Sequence, residues 1–246
     1  MKKQRLDKVL VDKGYFESAD DALRAVLAHE VKVDDVYATS AALPVSEDAE
    51  IVVKGRKQYV SRGGYKLQGA LDAFGQKVAG LTCLDIGSST GGFTDCLLQA
   101  GAAQVVCVDV NYGQLAWSIR QDKRVRVFER TNIKHADPRE LGAPFDMMVA
   151  DVSFIGLAGL ASVFARFAKP GSIFIGLVKP QFESRPDETE GGVVRDLAVH
   201  RRVVEEVSQA LSAAGFEVSG VEQSSLKGPQ GNVEFLVRAE YEGISG

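Results

Sequence analysis

The sequence predicts an α/β protein in which a mostly parallel, doubly wound sheet follows a small α+β module. From residue 81 onward, short apolar runs alternate with helical patterns, whereas residues 5–53 carry only short helical and strand signals. Apolar runs bracketed by helices are typical of parallel strands that are buried on both faces. With 246 residues, 45% of them hydrophobic, the chain is long enough for one large core and a smaller one.

The first module is expected to span residues 1–58, and the larger domain residues 59–246. Helical patterns occur in RLDKVLVDKG and SADDALRAVLAHE, and strand patterns in VKVDD and IVV. Ser18 can cap the free amides at the start of the second helix, where Asp20 and Asp21 suit the helix dipole. These signals predict a compact α+β module.

The larger domain contains seven strand patterns, most of them separated by helical ones. The strands are LTCLDIG, QVVCVDV, RVRVFE, FDMMVAD, SIFIGLVK, FEVSGVEQ and NVEFLVRAEY. The helical patterns are YKLQGALDAF, with Leu67, Leu71 and Phe74 inward, GGFTDCLLQAGA, YGQLAWSIR, SFIGLAGLASVFARFA, and a long helix from about Asp196 to Ala214. No helix separates the last two strands, so we expect them to pair antiparallel at one edge.

Composition narrows the functional classes. The net charge of -4 provides no global basic field, so binding to nucleic acid would depend on local patches. There is no apolar run long enough to cross a bilayer and no signal-peptide core, which favours a cytoplasmic protein without a membrane partner. Cys83, Cys96 and Cys107 lie in apolar surroundings without a CxxC motif, so buried free thiols are expected and a metal site is not.

The segment LDIGSSTGGF, residues 84–93, predicts a cofactor-binding turn between a strand and a helix. Its glycines allow close backbone approach, and the helix start offers unpaired amides. The spacing D-x-G-x-x-x-G-G differs from the dinucleotide fingerprint G-x-G-x-x-G and resembles the S-adenosylmethionine loop of Rossmann-like methyltransferases. A turn that serves only packing and an NAD site are the alternatives. The expected cofactor residues of this segment are Asp85, Gly87, Ser88, Gly91, Gly92 and Phe93.

Three further residues at strand ends are expected near the cofactor. Asp109 ends the second strand, where its carboxylate can accept from both ribose hydroxyls of the cofactor. Asn132 lies where an adenine contact is usual, although asparagine there is also a common turn or cap residue. Asp151 closes FDMMVAD at the carboxyl edge, where ligands bind in open α/β sheets. The following Val-Ser-Phe differs from the N/D-PP-Y/F signature, which disfavours methylation of a base amine.

Two lysines and two carboxylates form a candidate catalytic set. Lys66 follows a glycine pair near a predicted helix start, where anions and not cations are favoured. Lys179 ends SIFIGLVK, and Glu234 lies inside the apolar pattern NVEFLVRAEY, where an unpaired carboxylate would be costly to bury. With Asp151, these residues are expected around one cleft. Ordinary solvent exposure is the alternative for both lysines.

The K-D-K-E order, the glycine loop and the phrases YVSRGGYKL, ADVSFI and LVKPQFE together resemble the hemolysin-A-type (TlyA) family. These are ribosomal-RNA 2′-O-methyltransferases with an FtsJ-like catalytic domain. The stretch RLDKVLVDKGYFESADDALRAVLAHEVKVDD looks like the RNA-binding domain first described in ribosomal protein S-four. The resemblance covers nearly the whole chain and implies S-adenosylmethionine as cofactor and a cytidine ribose in rRNA as target. With 12 residues after Glu234, the chain resembles the shorter members that act on the large subunit.

Under this resemblance, Lys179 deprotonates or orients the ribose hydroxyl and Asp151 holds Lys179. Glu234 pairs with Lys66, which helps to orient the ribose and adjoining phosphate. No metal is needed, because the sulfonium supplies a good leaving group. Contacts with RNA are expected from residues that are basic or could stack on a base: Arg5, Lys8, Lys54, Arg56, Lys57, Arg62 and Tyr65. For Tyr65, an ordinary core or rim position is the alternative.

Two other functions compete with this interpretation. One is a non-catalytic protein that binds rRNA or the ribosomal subunit and has kept the methyltransferase fold; no residue of the candidate set is missing to favour it. The other is a membrane-lysing toxin, which neither a secretion signal nor a membrane-active helix supports. The sequence indicates neither the target nucleotide nor the oligomeric state.

Overall fold

A computed structural model describes residues 3–13, 15, 16, 18–46, 49–55 and 58–243. The chain divides into two compact units, Met1–Gln58 and Tyr59–Gly246. Within the described ranges, no helix combines the length and apolar character needed to cross a membrane.

In its described residues, the first unit has two helices and five short strands around a small core. The helices are α1 (Leu6–Asp12) and α2 (Ala19–Leu27); the strands are β1 (Gln4–Arg5), β2 (Val31–Val33), β3 (Val36–Tyr37), β4 (Pro44–Val45) and β5 (Ile51–Val53). β1 pairs with β4, and β2 lies between β3 and β5, all antiparallel. The predicted cap of α2 is confirmed, because Ser18 Oγ accepts a hydrogen bond from the Asp21 amide at 3.2 Å. Leu6, Leu10 and Val26 are fully or almost fully buried in the core.

The second unit contains a seven-stranded sheet. Its strands are β6 (Thr82–Ile86), β7 (Gln104–Val108), β8 (Val125–Phe128), β9 (Met147–Ala150), β10 (Ile173–Val178), β11 (Phe216–Gln223) and β12 (Phe235–Tyr241). The spatial order is β11-β12-β10-β9-β6-β7-β8. The five strands from β10 to β8 are mutually parallel, whereas β12 is antiparallel to both of its neighbours. The predicted antiparallel pairing of the last two strands is therefore confirmed.

Helices cover both faces of this sheet. They are α3 (Arg62–Phe74), α4 (Gly92–Gln99), α5 (Trp117–Arg120), α6 (Pro138–Leu141), α7 (Ala161–Ala165), α8 (Pro180–Glu183) and α9 (Leu197–Ala213). Because strand side chains alternate, β6 supplies Leu84 to one core and Cys83 to the other. Leu67 and Leu71 of α3 are buried as predicted, whereas Phe74 is only partly buried. The three cysteines are buried free thiols, as expected.

Two predicted helices are shorter than their apolar patterns. The helix expected over residues 153–168 is replaced by irregular chain to Leu157, a 3₁₀ turn at Ala158–Leu160 and then α7. Phe154 has φ = 68°, in the left-handed region, which is incompatible with a right-handed helix. The helix expected over residues 112–120 is reduced to α5, since Gly113, at φ = 73°, also has a left-handed conformation.

Removal of the Phe174 ring should strongly destabilise the second unit. The ring is fully buried, with its centroid 4.6 Å from that of Phe164 and 5.9 Å from that of Phe216. We expect Phe174→Ala to lower the free energy of unfolding, measured in urea, by about 3 to 5 kcal/mol. The control is Leu197→Ala, because Leu197 is 66% exposed and the expected change is within about 0.5 kcal/mol. Equal losses in both variants would contradict the assigned core.

Candidate active site

The carboxyl ends of three parallel strands meet at one edge of the sheet. Ile86 of β6 lies opposite both Val108 of β7 and Ala150 of β9, so the next residue of each strand comes to this edge. A cleft of about 380 Å³ opens there, a size within the range of small-molecule sites. Its polar lining consists of Ser89, Asp109, Asn111, Thr131, Asn132, Asp151 and Ser153.

The glycine-rich turn brings the backbone very close to the end of β9. Gly87 has φ = 81°, and a Cβ there would lie 2.6 Å from the backbone oxygen of Asp151. Gly91, at φ = 92°, is the N-cap of α4. Gly92 packs against the start of α3, where a Cβ would overlap with Ser61 Oγ. Glycine is therefore required by conformation at two of these positions and by close packing at two; among the other loop residues, Ser88 and Phe93 are buried.

Asp109 and Asn132 both line this cleft. The two oxygens of Asp109 accept hydrogen bonds from the amides of Ser89 at 2.8 Å and Asn111 at 2.7 Å. A carboxylate has about four lone-pair positions, so acceptor capacity remains for a ligand hydroxyl. The Asn132 Oδ1 accepts from the Lys134 amide at 3.0 Å, which is a turn contact and leaves its amide nitrogen for a ligand.

Asp85 lies beneath the loop and does not line the described cleft. Its carboxylate is fully buried; Oδ2 accepts from Thr94 Oγ1 at 2.5 Å, and Oδ1 has no hydrogen-bond partner among the residues that the structure describes. Burial raises the pKa of Asp85 from 3.8 to about 7, against the opposing effect of the Thr94 hydrogen bond. Through its hydrogen bond with Thr94, Asp85 thus supports the start of α4. Its contact with a cofactor stays a prediction.

Lys179 and Asp151 form an ion pair at the mouth of a second, smaller cleft. Lys179 Nζ lies 2.6 Å from Asp151 Oδ1, an ion pair without good hydrogen-bond angles, and donates to Ser153 Oγ at 3.0 Å. This cleft has a volume of about 150 Å³ and is lined by Ser61, Gly63, Gly87, Ser88, Ser89, Thr90, Gly92, Phe93, Asp151, Ser153 and Lys179. Four of these residues also line the larger cleft, so the two clefts are contiguous.

Lys66 and Glu234 form a second ion pair, which is buried. Lys66 Nζ donates to Glu234 Oε2, and only 8% and 1% of the two side chains are exposed. Lys66 is the fifth residue of α3, so its expected position near the helix start is corrected: it lies beyond the first turn. Glu234 also differs from expectation, because it directly precedes β12 instead of lying inside the strand. A Cβ at Gly228 would come within 2.6 Å of Glu234 Oε1, so this loop closes over the carboxylate.

The two ion pairs come from neighbouring strand ends. Val178 of β10 lies opposite Phe235 of β12, so Lys179 and Glu234 are the next residues at the same edge. The structure therefore brings all four predicted residues to one edge of the sheet. Asp151 and Lys179 line the clefts, whereas Lys66 and Glu234 are not among the lining residues described. Removal of one partner of a buried pair typically costs about 3 to 5 kcal/mol, because the other charge is left unpaired; replacement of Lys66 or Glu234 alone should therefore destabilise the fold.

The sequence interpretation missed three residues beside Lys179. Ser153 accepts from Lys179; its position two residues after Asp151 was the available signal. Phe154 is 90% exposed, and its ring centroid is 5.7 Å from that of Phe182. Glu183 accepts from the Leu157 amide at 2.5 Å. No periodicity could indicate these contacts, because they join α8 and the residue before it to irregular chain that follows β9.

Comparison with known proteins finds relatives that match nearly the whole chain. Residues 59–241 match the family model described as FtsJ-like methyltransferase. The "16S/23S rRNA (cytidine-2'-O)-methyltransferase TlyA" of Mycobacterium tuberculosis is 43% identical over 96% of this chain and 89% of its own. "Hemolysin A" of Brachyspira hyodysenteriae is 37% identical over 94% and 98%. A solved structure of a "Putative hemolysin" from Streptococcus thermophilus has a TM-score of 0.74 and 38% identity, covering 98% of this chain and 89% of that one.

The buried Asp85 should make stability fall as pH rises through neutrality. Because its pKa is raised to about 7, the folded chain keeps a proton that the unfolded chain loses above about pH 4. The stability of the wild type should therefore fall, relative to Asp85→Asn, by roughly 2 to 3 kcal/mol between about pH 5 and pH 7.5. Urea unfolding at both pH values measures this difference. Asp187→Asn, at an exposed carboxylate, keeps Asp85 and should lose as much stability as the wild type over this pH range; parallel curves for wild type and Asp85→Asn would contradict the assignment.

Proposed function

This chain belongs to the FtsJ-like methyltransferase family and, within it, to the TlyA (hemolysin A) group, and from that premise we propose that it methylates the 2′-hydroxyl of a cytidine in rRNA. The methyl donor is S-adenosylmethionine. The observation that carries the proposal is the Lys179–Asp151 ion pair, which lies in a small cleft contiguous with the larger one.

The larger cleft suits an adenosyl cofactor. Gly87 leaves no room for a side chain between the loop and Asp151, Asp109 retains lone pairs for ribose hydroxyls, and Asn132 can meet the adenine. Bound S-adenosylmethionine would supply a methyl group carried by a sulfonium. The neutral thioether that remains is a good leaving group, so no metal is needed. This cofactor would be held by the glycine loop, by the free amides at the start of α4, and by Asp109 and Asn132.

The smaller cleft can position and deprotonate a ribose hydroxyl. A hydroxyl is a poor nucleophile at neutral pH, so in-line placement and removal of its proton both speed the reaction. Lys179 Nζ has three positions for hydrogen-bond partners besides its bond to carbon. Asp151 and Ser153 occupy two of them, which leaves the third for the ribose oxygen. Lys179, or a water molecule, would take the proton that the ribose oxygen loses as it accepts the methyl group. Lys179 thus acts as the base or as the group that orients the hydroxyl.

The buried pair has a supporting role in this proposal. Glu234 neutralises Lys66 close to the reacting groups, and Lys66 is assigned to the orientation of the ribose and its adjoining phosphate. Because the Lys66 side chain is only 8% exposed, this contact requires the RNA to reach down to the sheet edge.

The predicted RNA contacts divide between the two units. Lys8 and Lys54 are exposed, and the exposed Arg5 is ion-paired with Asp7 at 2.6 Å. In the second unit, the exposed Arg62 donates to the Lys227 backbone oxygen at 2.6 Å. Tyr65 is partly buried and packs edge-on against Tyr59, so its stacking on a base stays a prediction. Arg56 and Lys57 lie outside the described residues. We assign the first unit, as an RNA-binding domain, to the capture of rRNA, which makes the cytoplasm the expected compartment.

Lys179→Ala should reduce kcat for methyl transfer by at least about 100-fold, the lower range for loss of a general acid or base. The assay uses labelled S-adenosylmethionine with separated small and large subunits and naked rRNA, followed by mapping of ribose methyl groups. The matched control is Lys169→Ala, because Lys169 pairs with Asp146 at 2.6 Å beside the opposite end of β9. This control should keep nearly full activity.

Both subunits are needed in this assay. The large subunit alone is the expected substrate, whereas the name of the Mycobacterium relative includes both. One ribose methylation that disappears in Lys179→Ala supports the proposal. Wild-type protein that binds rRNA but transfers no methyl group to any substrate would favour a non-catalytic binding protein.

Replacement of exposed lysines in the first unit should weaken RNA binding through charge alone. For Lys8→Ala and Lys54→Ala, we expect lower affinity for rRNA and a decrease of about 0.7 to 0.9 in the magnitude of the slope of log K against log salt for each lost phosphate contact. Filter binding over a salt series measures both quantities. Lys77→Ala removes an exposed lysine after α3 and serves as the control. An unchanged slope in all three variants would contradict the assigned surface.

A further inference from the structure

We propose that Glu183 is a positioning residue, which holds residues 152–157 in the shape that the cofactor cleft and Lys179 require. This inference rests on the proposed function. Glu183 is a partly buried carboxylate to which the reaction assigns no direct role. Buried or partly buried charges are normally paired or hydrogen-bonded, so its partners indicate its purpose.

The partners of Glu183 are backbone amides at the far end of this segment. Glu183 Oε1 accepts from the Leu157 amide at 2.5 Å. Burial raises the pKa of this carboxyl, and the amides of Leu157 and Ala158 both oppose that rise by favouring the charged form. These amides directly precede or open the 3₁₀ turn at Ala158–Leu160, where no intrahelical acceptor exists for them. Hydrogen bonds to a carboxylate are about twice as strong as neutral ones. Glu183 thus caps this turn from another part of the chain.

Gly156 shows how closely the carboxylate lies against the segment. A Cβ at Gly156 would overlap with Glu183 Oε2 and crowd Oε1 as well. A side chain at this position could be accommodated only if the carboxylate moved, and such a movement would break its hydrogen bond with the Leu157 amide. The carboxylate of Glu183 can therefore keep this position only because Gly156 has no side chain.

The held segment forms part of the wall of the cofactor cleft. Val152, Ser153, Phe154 and Ile155 all line that cleft. The chain is strained here, because Phe154 has φ = 68°; a non-glycine residue keeps such a conformation only where its surroundings impose it. Restraints at both ends of the segment meet this requirement.

Both restraints come from α8 and the residue before it. Lys179 is the N-cap of α8 and binds Asp151 and Ser153 at the near end; Glu183 is the last residue of α8 and binds the far end. The ring of Phe182 contacts Phe154 between them. Because a single helical turn carries both groups, displacement of the Glu183 end would also alter the position of Ser153 relative to Lys179. Glu183 therefore influences catalysis without touching the substrate.

Glu183→Gln is the primary test. The amide keeps one acceptor oxygen but presents an N–H group to the second backbone amide. We expect about a tenfold increase in the dissociation constant for S-adenosylmethionine, measured calorimetrically without RNA, and about a tenfold decrease in kcat. The KM for rRNA should change less than about twofold. Glu183→Ala should show larger effects of the same kind.

Asp146→Asn is the matched control for stability. Asp146 also accepts from a backbone amide, that of Thr82 at 2.9 Å, but it directly precedes β9, at the opposite end of that strand from Asp151. This variant should lower Tm without changing cofactor affinity or kcat at a temperature well below Tm. If Glu183→Gln lowers Tm but, like the control, leaves the cofactor dissociation constant and kcat unchanged, the carboxylate is merely structural and the proposal is wrong.

A double-mutant cycle with Gly156→Ala tests the proposed contact from its other side. If Gly156→Ala acts by displacing the Glu183 carboxylate, it should weaken cofactor binding by a similar factor. The double variant Gly156→Ala/Glu183→Gln should then be no weaker than either single variant by more than about twofold. Effects that multiply would show that the two residues act independently, which would overturn the shared-contact argument.

Amide hydrogen exchange separates this inference from the proposed function. In Glu183→Gln, the amides of Leu157 and Ala158 should exchange at least about tenfold faster than in wild type, whether or not any RNA is methylated. A wild type that binds the cofactor but methylates nothing would refute the function while leaving this result interpretable. A methylating wild type with unchanged exchange and unchanged cofactor affinity in Glu183→Gln would refute the positioning role alone.

Discussion

Parallel pairing of β9 with β10 is the constraint on which the whole site depends. This pairing brings Asp151, which follows β9, near Lys179, which follows β10, and so allows the 2.6 Å ion pair between them. The glycine loop after β6 reaches the same edge because Ile86 lies opposite Ala150. A slip of one residue in either pairing would turn the alternate side chains to the other face and would separate the lysine from both its carboxylate and the cofactor cleft.

The two ion pairs provide different physical environments for similar groups. Lys179 and Asp151 keep 12% and 25% of their side chains exposed, and both line the smaller cleft. Lys66 and Glu234 are almost completely withdrawn from water, where neither charge could persist alone. The accessible pair suits chemistry with an incoming substrate. The buried pair suits a structural role, because it fixes α3 against the start of β12. The start of α3 carries Ser61 and Gly63, which line the smaller cleft.

Sequence patterns were sufficient for the seven strands of the second unit, their order along the chain and the polar residues Asp109, Asp151 and Lys179 that follow three of them. They missed three short strands of the first unit, β1, β3 and β4, which are only two residues long and carry no alternating pattern. Continuous apolar runs and a glycine-rich turn depend on local chemistry, which one sequence contains. The extent of the helix after Asp151 could not be predicted, because its apolar pattern is overridden by the left-handed Phe154 and by a distant carboxylate, Glu183. Ser153 and Glu183 were missed for the same reason: their roles exist only once β9 and β10 lie side by side.

The insertion of β12 between β10 and β11 has a consequence for the order of assembly. Glu234 lies 168 residues after its partner Lys66, so the loop to be closed is long and its contact forms late. The glycine turn and the Lys179–Asp151 pair need only earlier strands. During synthesis, the larger cleft can therefore form before the charge of Lys66 is neutralised, and the docking of β12 brings Glu234 to Lys66.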